Sequence, residues 1–312
     1  MILTFIIVTV SDNQFLQNLL KSINNQNIKN YEIIIVSNNS VQIKKELKFN
    51  NIITSEENPG EKRNIGANKA KGQFLIFVDD DTILPKNYTK NIKLLIGKNK
   101  KVFGGPGIIP KNENNFNKML SLFLINKKIN PLAYRYNFDK RKNVNELPTS
   151  NLIIDKKLFF DVKGFNKDIW PGEDTDFCYR VNKIEKIYYN PIVYNFHFRR
   201  SSIVKLLRQF FRYGFYRYKV DKLKMELKYF FPAIFFLVSS LLVISCILYK
   251  DFKALFLMLL IFLFFINLLQ IKNIKKNKCY LLTPISTFLI LISYGLGIII
   301  SIFKSTNVKY FR

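Results

Sequence analysis

The first hundred residues alternate short apolar runs with stretches whose apolar positions recur at helical spacing. Ile2 to Val10 is almost wholly apolar and predicts a buried strand. Asn13 to Asn25 carries Phe15, Leu16, Leu19, Leu20 and Ile23 on one helical face. Glu32 to Val36 predicts a second strand. A turn and a short apolar pair, Ile52 and Ile53, follow. Glu61 to Lys69 predicts a helix, and Phe74 to Val78 the next strand. Such alternation predicts an α/β domain with a mainly parallel sheet flanked by helices. In these sheets ligands bind beyond the carboxyl ends of the strands. Ser37, Asn38 and the triplet Asp79, Asp80, Asp81 fall at such ends, so they should line one crevice.

The pattern changes in the last third. Three long apolar runs, Phe230 to Tyr249, Ala254 to Gln270 and Leu281 to Phe303, lack an amphipathic face, with Phe and Leu all round. Each approaches the length that crosses a bilayer core, the middle one being shortest, and about three transmembrane helices are expected. The N-terminal MILTFIIVTV has no basic flank and is cut off by polar residues, so it reads as a strand rather than an export signal. Lys272, Lys275, Lys276 and Lys278 crowd the loop between runs two and three. The positive-inside rule therefore places the N-terminal domain and that loop in the cytoplasm, in a protein of the cell membrane. The tail, 304–312, also carries Lys304, Lys309 and Arg312, which the rule disfavours outside. Before the first run, residues 199–229 interleave Arg and Lys with Phe210, Phe211, Tyr213, Phe215, Tyr216 and Tyr218. Next to a span, this reads as an interfacial helix on an anionic leaflet rather than a nucleic-acid surface.

The chain of 312 residues has formal net charge +27, yet its densest negative charge sits at one strand end. Adjacent carboxylates repel unless a cation or hydrogen bonds compensate. The three cysteines, Cys178, Cys246 and Cys279, have no metal or redox spacing. His197 is the only histidine, so no histidine-based metal cluster is expected and the site should be all oxygen. Oxygen ligands suit Mg²⁺ or Mn²⁺, completed by substrate phosphates. A second acidic cluster, Glu173, Asp174 and Asp176, follows Gly172 and has Phe177 and Val181 on an apolar side. It could be a charged helix N-terminus or a source of a general base.

Five segments in order resemble family 2 glycosyltransferases, inverting enzymes with the GT-A fold. "VTVSDNQFLQNLLKSI" resembles the opening strand and helix, and "YEIIIVSNNS" the second strand and its nucleotide-contacting turn. "GEKRNIGANKAKGQFLIFVDDDT" resembles the segment into the DxD motif, here Asp79 and Asp81. "GEDTDFCYR" resembles the ED motif and "RQFFRYG" the QxxRW motif, as Gln209, Arg212 and Tyr213. The resemblance covers residues 1 to 215, within a catalytic domain of residues 1–198 extended by the basic segment. It implies that Thr9, Ser37, Asn38, Asp79 and Asp80 contact the donor. Asp79 and Asp81 would hold the metal, and Asp174, or less directly Glu173, would be the catalytic base. Arg63, Gln209, Arg212, Tyr213 and Trp170 would face the diphosphate or the acceptor. Two positions depart from the family pattern: Ser37-Asn38 stands where aspartates are usual, and Tyr213 where Trp is.

The resemblance implies a membrane-bound transferase moving a sugar from a nucleotide-sugar donor to a lipid-linked saccharide, without a nucleic-acid partner. A polyprenyl-phosphate sugar synthase is the alternative, although a phosphate acceptor is already ionised and needs no general base. A catalytically inactive membrane scaffold has little use for both acidic clusters. Neither GxxxxGK[ST] nor GxGxxG occurs, which removes support for a P-loop or dinucleotide-binding enzyme.

Overall fold

The computed structural model describes residues 1–26, 28–42, 47–110, 120, 123–127, 130–140, 142–198, 202–220, 229–250, 252–253, 257 and 283–303. They fall into two compact units, residues 1–110 with 134–199, and residues 111–133 with 200–312.

The first unit opens as the apolar pattern predicts. Strand β1 (Leu3–Val8) pairs in parallel with β2 (Tyr31–Ser37) on one side and β4 (Phe74–Asp79) on the other. Phe5, Ile7, Ile35, Ile76 and Val78 on one face and Ile6, Ile34 and Phe77 on the other are all buried, because both faces are covered. Helix α1 (Gln14–Asn24) starts where Asn13 Oδ1 accepts from Leu16 N at 2.9 Å, and Leu16, Leu19, Leu20 and Ile23 face the sheet. Strand β3 (Asn50–Ile53) adds to the far side of β2. Helix α2 (Pro59–Lys69) starts two residues before the predicted helix. Asn58 caps it and Pro59 fits its first turn. The chain then returns past β1 to lay down β4, so the order reverses between β1 and β4.

That reversal positions the site. In an open sheet, the crevice outside the carboxyl ends at such a switch point is the place for a ligand. Register puts Val8 opposite both Val36 and Asp79, so the ends of β1, β2 and β4 are level there.

Beyond β4 the sheet becomes mixed. Strand β5 (Thr82–Ile83) and helix α3 (Tyr88–Gly97) lead to β6 (Val102–Gly104) and β7 (Gly107–Ile108). Strand β8 (Asn143–Val144) is followed by β9 (Leu152–Asp155) and helix α4 (Lys156–Asp161). Helix α5 (Glu173–Asn182), β10 (Ile187–Tyr189) and β11 (Asn195–His197) complete the unit. The large sheet has order β3-β2-β1-β4-β9-β6-β10-β8, and a small sheet has order β5-β11-β7. Strand β9 is antiparallel to both β4 and β6, so the parallel character is confined to β3-β2-β1-β4 and β6-β10.

In the second unit, the described helices are α6 (Ile203–Val220), α7 (Phe231–Leu248) and α8 (Thr283–Phe303). Helix α6 packs closely along α8. A Cβ on Gly214 would lie 2.0 Å from the Tyr294 carbonyl oxygen, and one on Gly297 2.2 Å from that of Phe211. Ser293 Oγ donates to Leu207 O at 2.7 Å in the same contact. Phe231–Leu248 and Pro284–Phe303 are long and apolar enough to cross a membrane, with mean hydropathy 2.5 and 2.2. The expected span Ala254 to Gln270, the loop of lysines after it and the tail lie outside the described residues, apart from Leu257.

Candidate active site

The three aspartates after β4 point to three different partners. Asp79 Oδ1 receives Arg63 Nη2 at 2.9 Å. Asp80 Oδ2 accepts from Thr9 Oγ1 at 2.6 Å and from Asn13 Nδ2 at 3.0 Å. Asp81 Oδ1 lies 3.0 Å from His197 Nε2. Burial pushes the Asp80 carboxyl above the ordinary range, against the pull of those two hydrogen bonds.

His197 overturns the expectation of an all-oxygen site. Strand β11 runs antiparallel to β5 with His197 opposite Thr82, and Phe198 N donates to Asp81 O at 3.0 Å. This pairing lays the imidazole beside the triplet. Asp79, Asp81 and His197 each offer a ligand atom, all within 4.8 Å of one another. Cis ligands of an octahedral ion with bonds of about 2.1 Å sit roughly 3 Å apart, so the 3.0 Å His197–Asp81 separation fits a shared divalent cation. Asp79 has a second carboxylate oxygen to offer.

Arg63 joins the two acidic clusters. Its other nitrogen, Nη1, donates to Glu173 Oε1 at 3.0 Å, and the guanidinium lies over the Phe165 ring. Burial alone would lower the Arg63 pKa, but the carboxylates of Asp79 and Glu173 more than offset it and raise it. Burial likewise pushes Glu173 up, with Arg63 pulling it back.

Helix α5 begins at Gly172, whose φ of 109° lies in the left-handed region that glycine adopts without a Cβ penalty. The acidic first turn suits the helix dipole. Its three carboxylates are not equivalent. Glu173 is held by Arg63, and its Oε2 accepts from Gly172 N at 3.1 Å. Asp176 Oδ2 accepts from both Nε and Nη2 of Arg180, at 2.9 and 2.7 Å. Asp174 has the most accessible side chain of the three, 23% against 17% for Asp176 and 9% for Glu173. Its Oδ1 accepts from Thr175 N at 2.8 Å.

The strand ends on the other side of the crevice are tied together by Lys62. Its Nζ donates to Thr9 O at 2.8 Å and to Asn38 Oδ1 at 2.7 Å. Burial lowers the Lys62 pKa, opposed by the charges of Asp80, Glu56 and Glu57. Asn38 Nδ2 in turn donates to Thr54 O and Glu56 O, and Ser37 Oγ to Asn39 O. The side chains of Ser37 and Asn38 thus shape the turn through internal bonds.

This arrangement, an acidic triplet at a switch point bridged by arginine to a second acidic helix start, is matched at family level. Residues 4–161 match the family described as Glycosyl transferase family 2, just over half of the chain. The chain belongs to glycosyl transferase family 2. Its α/β domain is of the GT-A type, with strands β1 to β4 and the Asp79–Asp81 triplet inside the matched segment. The chain is similar to a dolichyl N-acetyl-α-D-glucosaminyl phosphate 3-β-D-2,3-diacetamido-2,3-dideoxy-β-D-glucuronosyltransferase of Methanococcus voltae. Identity is 24% over 94% of this chain and 95% of that protein. Among solved structures it is similar to S. aureus TarS in complex with UDP-GlcNAc. That likeness has 19% identity and TM-score 0.49, covering 65% of this chain and 60% of that one. A mannosyltransferase of Pyrobaculum calidifontis in complex with GDP-Man and Mn²⁺ has 12% identity and TM-score 0.49, covering 68% and 61%. This chain therefore spans less than two thirds of those solved chains.

Of the residues read from the sequence, Thr9, Arg63, Asp79, Asp80, Asp81 and Glu173 are joined by the contacts above, with Asp174 next in the chain. Trp170 lies half-buried just before Gly172. Gln209, Arg212 and Tyr213 lie on α6 in the second unit, where Gln209 Nε2 donates to Tyr213 Oη at 2.6 Å. Sequence reasoning missed His197 and Lys62. A lone histidine in an aromatic stretch carries no signal until strands β5 and β11 pair, nor a lysine in a polar helix until α2 meets the turns after β1 and β2.

Proposed function

We propose that this chain is a membrane-bound, metal-dependent, inverting transferase. It moves a sugar from a nucleotide-sugar donor to a hydroxyl of a lipid-linked saccharide, in the synthesis of a surface polysaccharide or glycan. The observation that carries this reading is Arg63, which holds Asp79 and Glu173 within 2.9 and 3.0 Å and so ties the donor-side triplet to the helix bearing Asp174. Asp174, the most accessible of its cluster, is the general base. The lipid-linked acceptor is supported by the name of the Methanococcus voltae relative and by the two apolar helices. Basic residues around α6 suit an anionic leaflet, and the lysine bias favours a cytoplasmic catalytic domain.

The chemistry follows from the residues. The acceptor oxygen attacks the anomeric carbon as the bond to the nucleoside diphosphate breaks, and the leaving diphosphate takes the electron pair. Asp174 takes the acceptor proton from the opposite face, so the anomeric centre inverts and an α-linked donor gives a β-linked product. A base in this role is worth on the order of 10²–10⁴ in rate. Asp79, Asp81 and His197 would hold a divalent ion, Mg²⁺ or Mn²⁺, and the imidazole favours Mn²⁺. When bound, such an ion supplies positive charge where the diphosphate becomes more anionic. Thr9, Ser37, Asn38 and Asp80 form the donor floor, while Arg63, Trp170, Gln209, Arg212 and Tyr213 serve the diphosphate and acceptor.

The test is Asp174→Asn, which keeps shape but accepts no proton. The purified full chain is screened for nucleoside-diphosphate release from a panel of nucleotide sugars, with and without lipid extract. Transfer with the active donor should fall by about 10² or more while Mn²⁺-dependent binding of the nucleoside diphosphate survives. Unchanged transfer removes the base from this helix and favours a phosphate acceptor; an inert wild type across the panel favours a scaffold.

A further inference from the structure

Beside Asp174 lies a cation that the proposed chemistry has not used. Arg135 ends a short 3₁₀ turn, Ala133–Arg135, and is buried. Its Nη1 stands 3.9 Å from Asp174 Oδ2, and its Nη2 3.3 Å from Glu146 Oε2. Glu146 is also buried, and the same Oε2 accepts from Thr175 Oγ1 at 2.9 Å. One carboxylate thus grips both the arginine and the residue next to Asp174. The strand-like segment after it is pinned too: Leu147 N donates to Cys178 Sγ one turn further along α5. Tyr134 Oη donates to Glu146 O at 2.7 Å and fixes the turn from the other side.

A buried guanidinium is costly unless carboxylates compensate it. Glu146 alone would neutralise Arg135. The second carboxylate within 4 Å is Asp174, which is partly exposed and whose Oδ1 accepts from Thr175 N. Nε and Nη2 of Arg135 have no hydrogen-bond partner among the described residues, so Arg135 acts here by charge and by shape. A fixed positive charge against one oxygen of Asp174 orients the carboxylate before the acceptor arrives. The ionisable groups facing Asp174 are Arg135, Glu173 from its own helix and Cys178; Glu146 faces Arg135.

We propose that Arg135 is a positioning residue for the catalytic carboxylate, itself set by Glu146, and that the pair holds Asp174 turned towards the acceptor hydroxyl. This rests on the reading of Asp174 as the base.

The test is a double-mutant cycle in the full-length, detergent-solubilised chain. Arg135→Met, Arg135→Lys and Glu146→Gln are each made in the wild type and in Asp174→Asn. Transfer is measured with the donor found in the panel and lipid extract, and UDP and GDP binding with Mn²⁺ serves as the control for folding. Arg135→Met should lose about tenfold or more in kcat with nucleotide affinity kept, and Arg135→Lys should recover part of it. In Asp174→Asn, Arg135→Met and Glu146→Gln should cost less than about threefold further, because groups acting through one another are not additive. The same full loss in both backgrounds overturns the proposal, as does Arg135→Met within twofold of wild type. If Asp174→Asn is itself active, the base reading falls and the positioning role falls with it.

Discussion

Replacing Arg63 by methionine should destabilise the first unit in a pH-dependent way. The side chain is 5% exposed and makes two charge-assisted hydrogen bonds, 2.9 Å to Asp79 and 3.0 Å to Glu173. The two partners will not suffer equally. Asp79 is 29% exposed and can be resolvated, while Glu173 is 9% exposed and would be left as a buried, unpaired carboxylate. Breaking such a buried pair costs about 3–5 kcal/mol. For a domain of this size each kcal/mol moves the midpoint by about 2–4 °C, so Arg63→Met should melt roughly 6–20 °C lower. Burial already raises the Glu173 pKa, and Arg63 opposes that rise. Without Arg63 the folded-state pKa climbs further above the unfolded value. A carboxyl of that kind stabilises the fold below its unfolded pKa and loses this contribution as pH rises through the folded one. The deficit should therefore be larger at pH 8 than at pH 5, and Glu173→Gln added to Arg63→Met should recover part of it. The assay is thermal unfolding of the full chain in detergent and chelator at both pH values. A midpoint within about 2 °C of wild type at pH 8, or a deficit that ignores pH, would refute the reasoning.

His197→Ala should weaken Mn²⁺ affinity by about tenfold or more in calorimetry, with a smaller effect on Mg²⁺. Equal affinities for wild type and variant would remove His197 from the site. Cys178 is buried and its pKa is pushed up to about 12, so at pH 8 only about one molecule in 10⁴ carries the thiolate there. Iodoacetamide should leave Cys178 unmodified in the native protein and label it after denaturation, as peptide mass mapping reads. Because the unfolded thiol ionises first, this group also makes the fold less stable as pH rises above about 8.5. Gly214→Leu should separate α6 from α8, since even a Cβ would sit 2.0 Å from a backbone oxygen. A loss of at least about 1–3 kcal/mol is expected by thermal unfolding, against little change for Gly97→Ala, where nothing lies within 4 Å.

What the sequence made legible was local. Strands β1, β2 and β4 are long and apolar on both faces, and α1 between the first two has a clean Leu and Ile stripe, so period alone marks them. Strands β6, β8 and β10 have two or three residues each, too few to show a period, and pairing partners far along the chain define them. The site divides the same way. The triplet and the Gly172–Asp176 segment stand out because several carboxylates are adjacent. His197 and Arg135 do not, because each meets its carboxylate through tertiary structure: one by the β5–β11 pairing, the other across a turn that reaches α5. The inference that a single histidine excludes a mixed site failed for this reason. One imidazole is enough when two aspartates are already in place. The close approach of α6 to α8 is hidden in the same way: the glycines that permit it are spaced along two helices, and no one-dimensional pattern links them.

Three adjacent carboxylates at the end of a buried strand would repel one another if they shared one environment. They do not. The turn after β4 sends Asp79 towards a permanent cation, Asp80 towards neutral donors on α1 and β1, and Asp81 towards an imidazole whose charge depends on its proton. Only the outer two can share an incoming divalent ion, because Asp80 is occupied by Thr9 and Asn13 and burial already favours its protonated form. The cluster is thus partly neutralised by the protein alone. In the proposed site the fixed positive charge of Arg63 would limit how strongly Asp79 attracts an ion, and Asp81 and His197 would set the affinity. An ion held in this way is bound more firmly when substrate phosphates complete its shell than when water does. Metal and donor should accordingly bind with mutual reinforcement, and the strength of that coupling is governed by the same arginine that ties the triplet to Glu173 and so to the turn carrying Asp174.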